Sequence, residues 1–310
     1  MESLPIPFQS IPVICGPTAS GKSSLAMQVC QCVKGELVGM DSMQIYKGMD
    51  IGTAKPSKED RNEVPHHLID FLNPGDMFSV ADYVEQAQKV ISDCLSRGVL
   101  PVFCGGTGQY ASAISQGIRF SPVDVSPKVI EQVVEEEKTG GILRLYEELK
   151  RIDPIQAAQI HPNNKRRVLR ALAIYRETGK TMSALNEESK RDGPRYPFQV
   201  FAIDRPREEL YARIDDRVDE MMAQGLEEEV RQLLALGVPR DANAFQAIGY
   251  KEIIDWLDGK MTYSDAVSLI KQRTRNYAKR QMTWYRHMPG VNWIKATECS
   301  EILKKIEGII

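Results

Sequence analysis

Residues Gly16-Pro17-Thr18-Ala19-Ser20-Gly21-Lys22-Ser23 match G-x-x-x-x-G-K-[ST], the strongest constraint on how this 310-residue chain folds. An apolar run at residues 11–15 precedes the loop and reads as a buried strand. A helical stretch over residues 22–33 follows it. Strand, glycine loop and helix form the setting in which this motif cradles a polyphosphate. Backbone N–H groups in the loop and at the helix N-terminus point at the anion. On this reading Gly16, Thr18, Ala19, Ser20, Gly21, Lys22 and Ser23 line a diphosphate site. Lys22 brings a mobile positive charge to the outer phosphate, and the Ser23 hydroxyl is an oxygen ligand for Mg²⁺. A plain Gly-rich turn is the competing reading, and the preceding strand argues against it.

The pattern around the loop sets the fold class. Apolar runs at 11–15, 37–40, 68–71 and 100–104 read as strands, with helices at 22–33 and about 80–97 between them. Ser79 with Asp82 resembles a capping box for the second helix, and Gly98 stops it. Such alternation predicts an α/β fold, a P-loop parallel sheet flanked by helices. A further strand at 198–204 comes nearly a hundred residues later. Residues 119–199 between them are helical, charged and punctuated by proline, so they read as an inserted all-helical subdomain. The expected organisation is a first core part at 1–118, the insert at 119–199, and core completion with basic C-terminal helices at 200–310. Helices are expected at about 206–223, 226–236, 249–258 and 263–287.

The run at 37–40 ends in Asp41. A carboxylate at the C-terminal end of a parallel strand sits at the ligand edge of such a sheet. Asp41 there is a Mg²⁺ ligand in an NTPase, a general base for a substrate beside the phosphates, or a helix cap or Asx-turn. A kinase or NTPase using ATP would carry the same loop. No second acidic strand end and no arginine-rich lid marks one here.

The segment Asp41-Ser42-Met43-Gln44-Ile45-Tyr46-Lys47-Gly48-Met49-Asp50-Ile51-Gly52-Thr53-Ala54-Lys55-Pro56 resembles the tRNA dimethylallyltransferase family, the tRNA isopentenyltransferases. So do His66-His67-Leu68-Ile69-Asp70, Phe78-Ser79-Val80-Ala81-Asp82-Tyr83, Gly105-Gly106-Thr107-Gly108-Gln109-Tyr110 and Arg166-Arg167-Val168-Leu169-Arg170-Ala171-Leu172. Gln246-Ala247-Ile248-Gly249-Tyr250-Lys251-Glu252 and Lys279-Arg280-Gln281-Met282-Thr283-Trp284-Tyr285-Arg286 complete the set, in the family's order. The resemblance spans about residues 11–290 and favours a bacterial-type member, since the C-terminal zinc finger common in eukaryotic members is not seen.

The resemblance implies transfer of a dimethylallyl group from dimethylallyl diphosphate to N6 of adenine 37, 3′ to the anticodon. The tRNAs are those reading codons that begin with U. It implies Asp41 as general base, Lys22 and Arg217 as cations on the departing diphosphate, and Thr107 as a tRNA-contacting threonine. Mg²⁺ is the implied cofactor, with Ser23 as its ligand. The tRNA anticodon stem-loop would meet Asp41, Ser42, Met43, Gln44, Thr107, Gln246, Gly249, Tyr250, Lys279, Arg280, Trp284 and Arg286, with Arg166, Arg167 and Arg170 gripping from the insert. A relative that prenylates free adenylate remains the near alternative, and the insert and the basic helix argue against it.

Composition sets outer bounds. Net charge is −2, so the whole chain has no basic footprint for RNA, yet residues 271–287 hold six Lys or Arg and no Asp or Glu. Interleaved with Tyr277, Trp284 and Tyr285, they suit a phosphate-contacting helix with stacking groups nearby. No apolar run approaches the roughly 20 residues of a membrane span, and no leader pattern opens the chain. The six cysteines, at 15, 30, 32, 94, 104 and 299, make no C-x-x-C. A reduced, cytoplasmic monomer is expected.

Overall fold

The computed structural model describes residues 4, 7–118, 125–189, 191 and 193–308. The expected start of the insert, at 119, lies outside them. The chain divides into two compact units, residues 1–115 with 194–310, and residues 116–193.

The first unit is built on six parallel strands in the order β3-β2-β4-β1-β5-β6. Its elements run β1 (Ile11–Cys15), α1 (Lys22–Val33), β2 (Glu36–Gly39), α2 (Lys58–Glu63), β3 (His66–His67), α3 (Val80–Ser96), β4 (Pro101–Gly105) and α4 (Gly108–Ser115). The central strands β1 and β4 are buried along their whole length, as strands covered by helices on both faces must be. Each side chain such as Val13, Phe103 or Phe201, withdrawn wholly from water, contributes about 1.5–3 kcal/mol. Helix α3 starts at the Ser79–Asp82 capping box and turns Tyr83, Ala87 and Ile91 inward at helical spacing. The Tyr83 ring stacks on Tyr110 of α4 at 3.8 Å.

Residues 68–71 are not a strand; the strand is His66–His67. Leu68 and Asp70 adopt left-handed backbone, with φ of 57° and 60°. The chain there follows residues 44–46 instead, Asp70 N–H donating to Gln44 O and Phe71 N–H to Ile45 O. Asp70 takes Lys55 and Arg61 on its two oxygens. Helix α2, also unforeseen, begins at a capping box of Ser57 and Asp60.

The second unit holds α5 (Pro127–Ile152), α6 (Pro154–Ala158), α7 (Lys165–Thr178) and α8 (Met182–Glu188). Gly141, at φ 76° and ψ 158°, breaks α5 into two helical arms. Leu145, Leu149, Val168 and Leu172 lie in its own core. Arg176 ties α7 to Glu136 and Glu148 of α5.

The chain returns to the first unit with β5 (Phe198–Ile203), α9 (Arg207–Ala223), α10 (Leu226–Ala235), a 3-10 turn (Asn243–Gln246), α11 (Tyr250–Leu257) and α12 (Tyr263–His287). It ends with β6 (Val291–Ile294), which pairs with β5, and α13 (Cys299–Glu307). Neither of these last two was expected. A second cluster around Ile45, Tyr46, Leu226, Val230, Phe245 and Tyr250 packs the 44–50 segment against α10 and α11. No helix among the described residues is long and apolar enough to cross a membrane.

Candidate active site

Strands β2, β4 and β1 lie side by side, with Gly39 opposite Cys104 and Cys15 opposite Gly105. Their carboxyl ends therefore deliver Asp41, the Gly105–Gly108 turn and the phosphate loop to one edge, the crevice where doubly wound sheets bind ligands. Close approach fixes the turn's composition. A Cβ on Gly105 would lie 2.2 Å from Met40 O, and one on Gly108 would meet the Trp284 indole at 2.5 Å.

The phosphate loop turns through Ala19 at φ 61° and Gly21 at φ 95° into α1. Remote side chains hold its outer face. Arg213 Nε donates to Ala19 O at 2.9 Å and Arg205 Nε to Ser20 O at 3.2 Å. Thr18 N–H donates to Gln281 Oε1 at 3.0 Å, and Gln281 Nε2 donates to Gly106 O at 2.7 Å. Gln281 thus joins the two glycine loops, and the Thr18 N–H is not free for an anion. The first N–H groups of α1, from Lys22 and Ser23, are left open by helix geometry.

Two cations converge on this loop. Lys22 Nζ reaches Pro17 O at 3.3 Å, and burial pulls its ammonium below the usual lysine range, against the opposing pull of Asp41. Arg217, one turn beyond Arg213 on α9, is also shifted down by burial, again opposed by Asp41. Its Nε is buried without a hydrogen-bond partner among the described residues. A guanidinium with a buried, unmet donor is costly unless an anion joins it.

Asp41 spends one oxygen on an Asx-turn, Oδ1 accepting from Met43 N–H at 2.9 Å. Thr107 accepts from Ser42 N–H at 3.0 Å while its own N–H donates to Met40 O. Thr107 therefore shapes the Asp41 turn. Two cavities open on this centre. One, of about 670 Å³, is lined by Arg213, Asp216, Asp50, Ile51, Ala54 and Lys55. The other, of about 300 Å³, is lined by Ser42, Met43, Gln246, Tyr277 and Arg280. Both are lined by Lys22, Ser23, Asp41, Gln44, Arg217 and Met221.

Other expected residues fall differently. Tyr250 is wholly buried, its hydroxyl on Glu229, so it cannot contact RNA. Gly249 is buried too and caps α11, at φ 102° with its N–H on Glu252. Trp284 is 42% exposed but its Nε1 donates to Ser112 Oγ, which makes it partly a packing group. Lys279, Arg280 and Arg286 are exposed. Of the other basic residues of α12, Lys271 pairs with Asp219, Arg273 with Glu252 and Arg275 with Asp215. In the second unit Arg166, Arg167 and Arg170 are exposed on α7, opposite its buried Val168, Ala171 and Leu172. Arg205, Arg213, Gln281 and Glu229 were missed by sequence reading. Two left a signal: Arg213, four residues before Arg217 in the same segment, and Gln281, inside the 279–286 motif.

Residues 44–288 match the sequence signature of the family described as IPP transferase. The chain belongs to that family. The tRNA dimethylallyltransferase of Acetivibrio thermocellus is 43% identical over 97% of this chain and 96% of its own length. That of Anoxybacillus flavithermus is 44% identical over 97% of each. Among solved structures, the full-length tRNA isopentenylpyrophosphate transferase of Bacillus halodurans superposes with a TM-score of 0.70 at 37% identity, covering 97% of this chain and 95% of that one. A eukaryotic dimethylallyltransferase crystallised acting on tRNA gives 0.78 at 29% identity, over 94% of this chain and 75% of its own. The IPP transferase signature begins at residue 44, so the phosphate loop and Asp41 lie just upstream of it.

Proposed function

We propose that this IPP transferase family member moves a dimethylallyl group from dimethylallyl diphosphate to N6 of adenine 37, 3′ to the anticodon, in tRNAs reading codons that begin with U. The products are N6-(dimethylallyl)adenosine and diphosphate. One observation carries the reading. Lys22 and Arg217 are half-buried cations that line both cavities together with Asp41. A departing anion and an amine that must give up a proton are what such an arrangement serves.

The diphosphate sits on the α1 N-terminus with Lys22 and Arg217 against it. As the allylic C–O bond breaks, negative charge grows on the leaving oxygens, and preorganised cations stabilise that charge directly. The adenine arrives through the smaller cavity. Its exocyclic amine attacks the allylic carbon, and Asp41 takes the proton as the C–N bond forms. Ser23 and the diphosphate oxygens suit Mg²⁺, which takes one or two protein oxygens and keeps several waters. When bound it would add positive charge at the leaving group. Loop adenines leave their stack at a cost of a few kcal/mol. Exposed Lys279, Arg280, Arg286, Arg166, Arg167 and Arg170 are the phosphate contacts that offset it. The enzyme acts in the cytoplasm as a monomer.

The test is incubation of the chain with dimethylallyl diphosphate, Mg²⁺ and unmodified tRNA, followed by nucleoside mass analysis. A dimethylallyl mass gain on adenosine is the expected result. No gain, together with ATP turnover in the absence of a prenyl donor, would overturn it in favour of an NTPase.

A further inference from the structure

Glu229, in the first turn of α10, is 9% exposed and forms no ion pair among the described residues. Its Oε2 accepts from Asp50 N–H at 2.9 Å and Ile51 N–H at 2.8 Å. Its Oε1 accepts from Gly52 N–H at 3.2 Å and from the Tyr250 hydroxyl. Four donors fill the capacity of a carboxylate. Burying that charge is costly, and no cation among the described residues pairs with it. What it secures is the shape of one segment. The Tyr250 ring closes the space over Gly52, where a Cβ would lie 2.4 Å from Tyr250 Cε2 and 2.8 Å from Leu226 Cδ1.

The next residues carry that shape to the reaction centre. Ala54 is left-handed, at φ 45°, and its N–H donates to Ile51 O at 3.0 Å. This turns the carbonyls of Thr53 and Ala54 onto Gln44 Nε2, at 3.0 and 3.1 Å. Both amide hydrogens of Gln44 are thereby used. Flipping the amide would set its oxygen against two carbonyls, so the orientation is forced. Gln44 lines both cavities beside Asp41 with only an acceptor, Oε1, left to offer.

We propose that Glu229 is a positioning residue for base recognition: through the 50–54 segment it obliges Gln44 to present a carbonyl oxygen to the exocyclic amine. This rests on the function proposed above. The amine carries two hydrogens. Asp41 takes the one that leaves, and Gln44 Oε1 holds the other, orienting the nitrogen lone pair toward the allylic carbon. A base with an oxo group there would face two acceptors and be rejected.

The test compares Glu229→Gln, Gln44→Ala and the double variant, all in the full chain. Three quantities are read: single-turnover prenylation, titration with a non-reactive diphosphate analogue, and hydrogen exchange across residues 50–54. Misplacement of a reacting group by about 1 Å costs on the order of 10²-fold. Glu229→Gln is expected to slow transfer by about 10–100-fold and to expose the amides of residues 50–52 to exchange. Analogue affinity should stay within about twofold. Because Glu229 acts through Gln44, the double variant should be no slower than Gln44→Ala alone, the mark of two residues in one network. Additive losses, or an unchanged rate with the amides still protected, would overturn the proposal. If Glu229→Gln does not fold, Tyr250→Phe removes one of the four donors while keeping the ring, and the same non-additivity is required of it. A wild-type chain that prenylates no tRNA defeats the functional reading instead, and exchange at 50–52 still reports on the Glu229 link.

Discussion

Asp41, the proposed base, also carries a structural duty. Its Oδ1 closes an Asx-turn on Met43, while half-buried Lys22 and Arg217 interact with the same carboxylate. The turn holds the group still, with the two cations beside it. Removing it should cost what a positioned base contributes, about 10²–10⁴ in rate. Asp41→Ala is therefore expected to lose at least 10²-fold in single-turnover transfer, with tRNA affinity changed by no more than a few-fold. Filter binding and rapid quench separate the two quantities. A variant retaining a tenth of the rate would move the base elsewhere.

At the scale of the element, α12 does two jobs along its length. Its first half is bound to the fold by ion pairs to Asp219, Glu252 and Asp215. Its second half threads Gln281 and Trp284 between the glycine loops and α4, leaving Lys279, Arg280 and Arg286 exposed. Arg280 lies over the Tyr277 ring at 5.5 Å, at the wall of the smaller cavity. Each phosphate contact contributes a slope of about −0.7 to −0.9 in log affinity against log salt. Replacing Lys279 and Arg280 with alanine should flatten that slope by about one to two and leave analogue binding unchanged. An unchanged slope, with circular dichroism intact, would assign the tRNA grip to Arg166, Arg167 and Arg170.

At the scale of the whole molecule, the edge of the sheet away from the active site holds a stability device. Glu36, opening β2, accepts from both Arg97 nitrogens at 2.7 Å and meets His67 Nε2 at 2.7 Å. The Arg97 contact above all holds its carboxyl down to about 2 from an ordinary 4.5. A carboxyl depressed in the folded state stabilises at pH above its unfolded value, and that contribution drains as pH falls through the folded one. Thermal midpoints of the wild type should therefore fall as pH drops from about 4.5 toward 2. Glu36→Gln should melt lower at pH 7, with the gap narrowing as pH falls below about 4.5 and closing only below about 2. Parallel curves for the two proteins over that window would show that other carboxyls govern acid stability.

The local chain determined a good deal by itself. A glycine loop between strand and helix, a capping box at Ser79 and apolar runs of strand length are short-range signals, and α1, α3, β1, β4, β5, α9 and α12 follow them closely. The phosphate loop and the position of Asp41 were legible for the same reason, since each sits where a strand ends, whereas Thr107 was singled out only by the family resemblance. Residues 68–71 misled because an apolar run does not reveal left-handed backbone, which pairing with residues 44–46 imposes. Only the tertiary structure could distribute α12's charges, because the acids that neutralise half of them lie 21 to 60 residues away. It alone placed Tyr250 inside and Gln281 between the loops. It also turned Glu229, one of three consecutive glutamates in the sequence, into the acceptor of a segment 177 residues distant. Burial and long-range hydrogen bonds depend on what packs against a residue, and spacing along the chain carries no record of that.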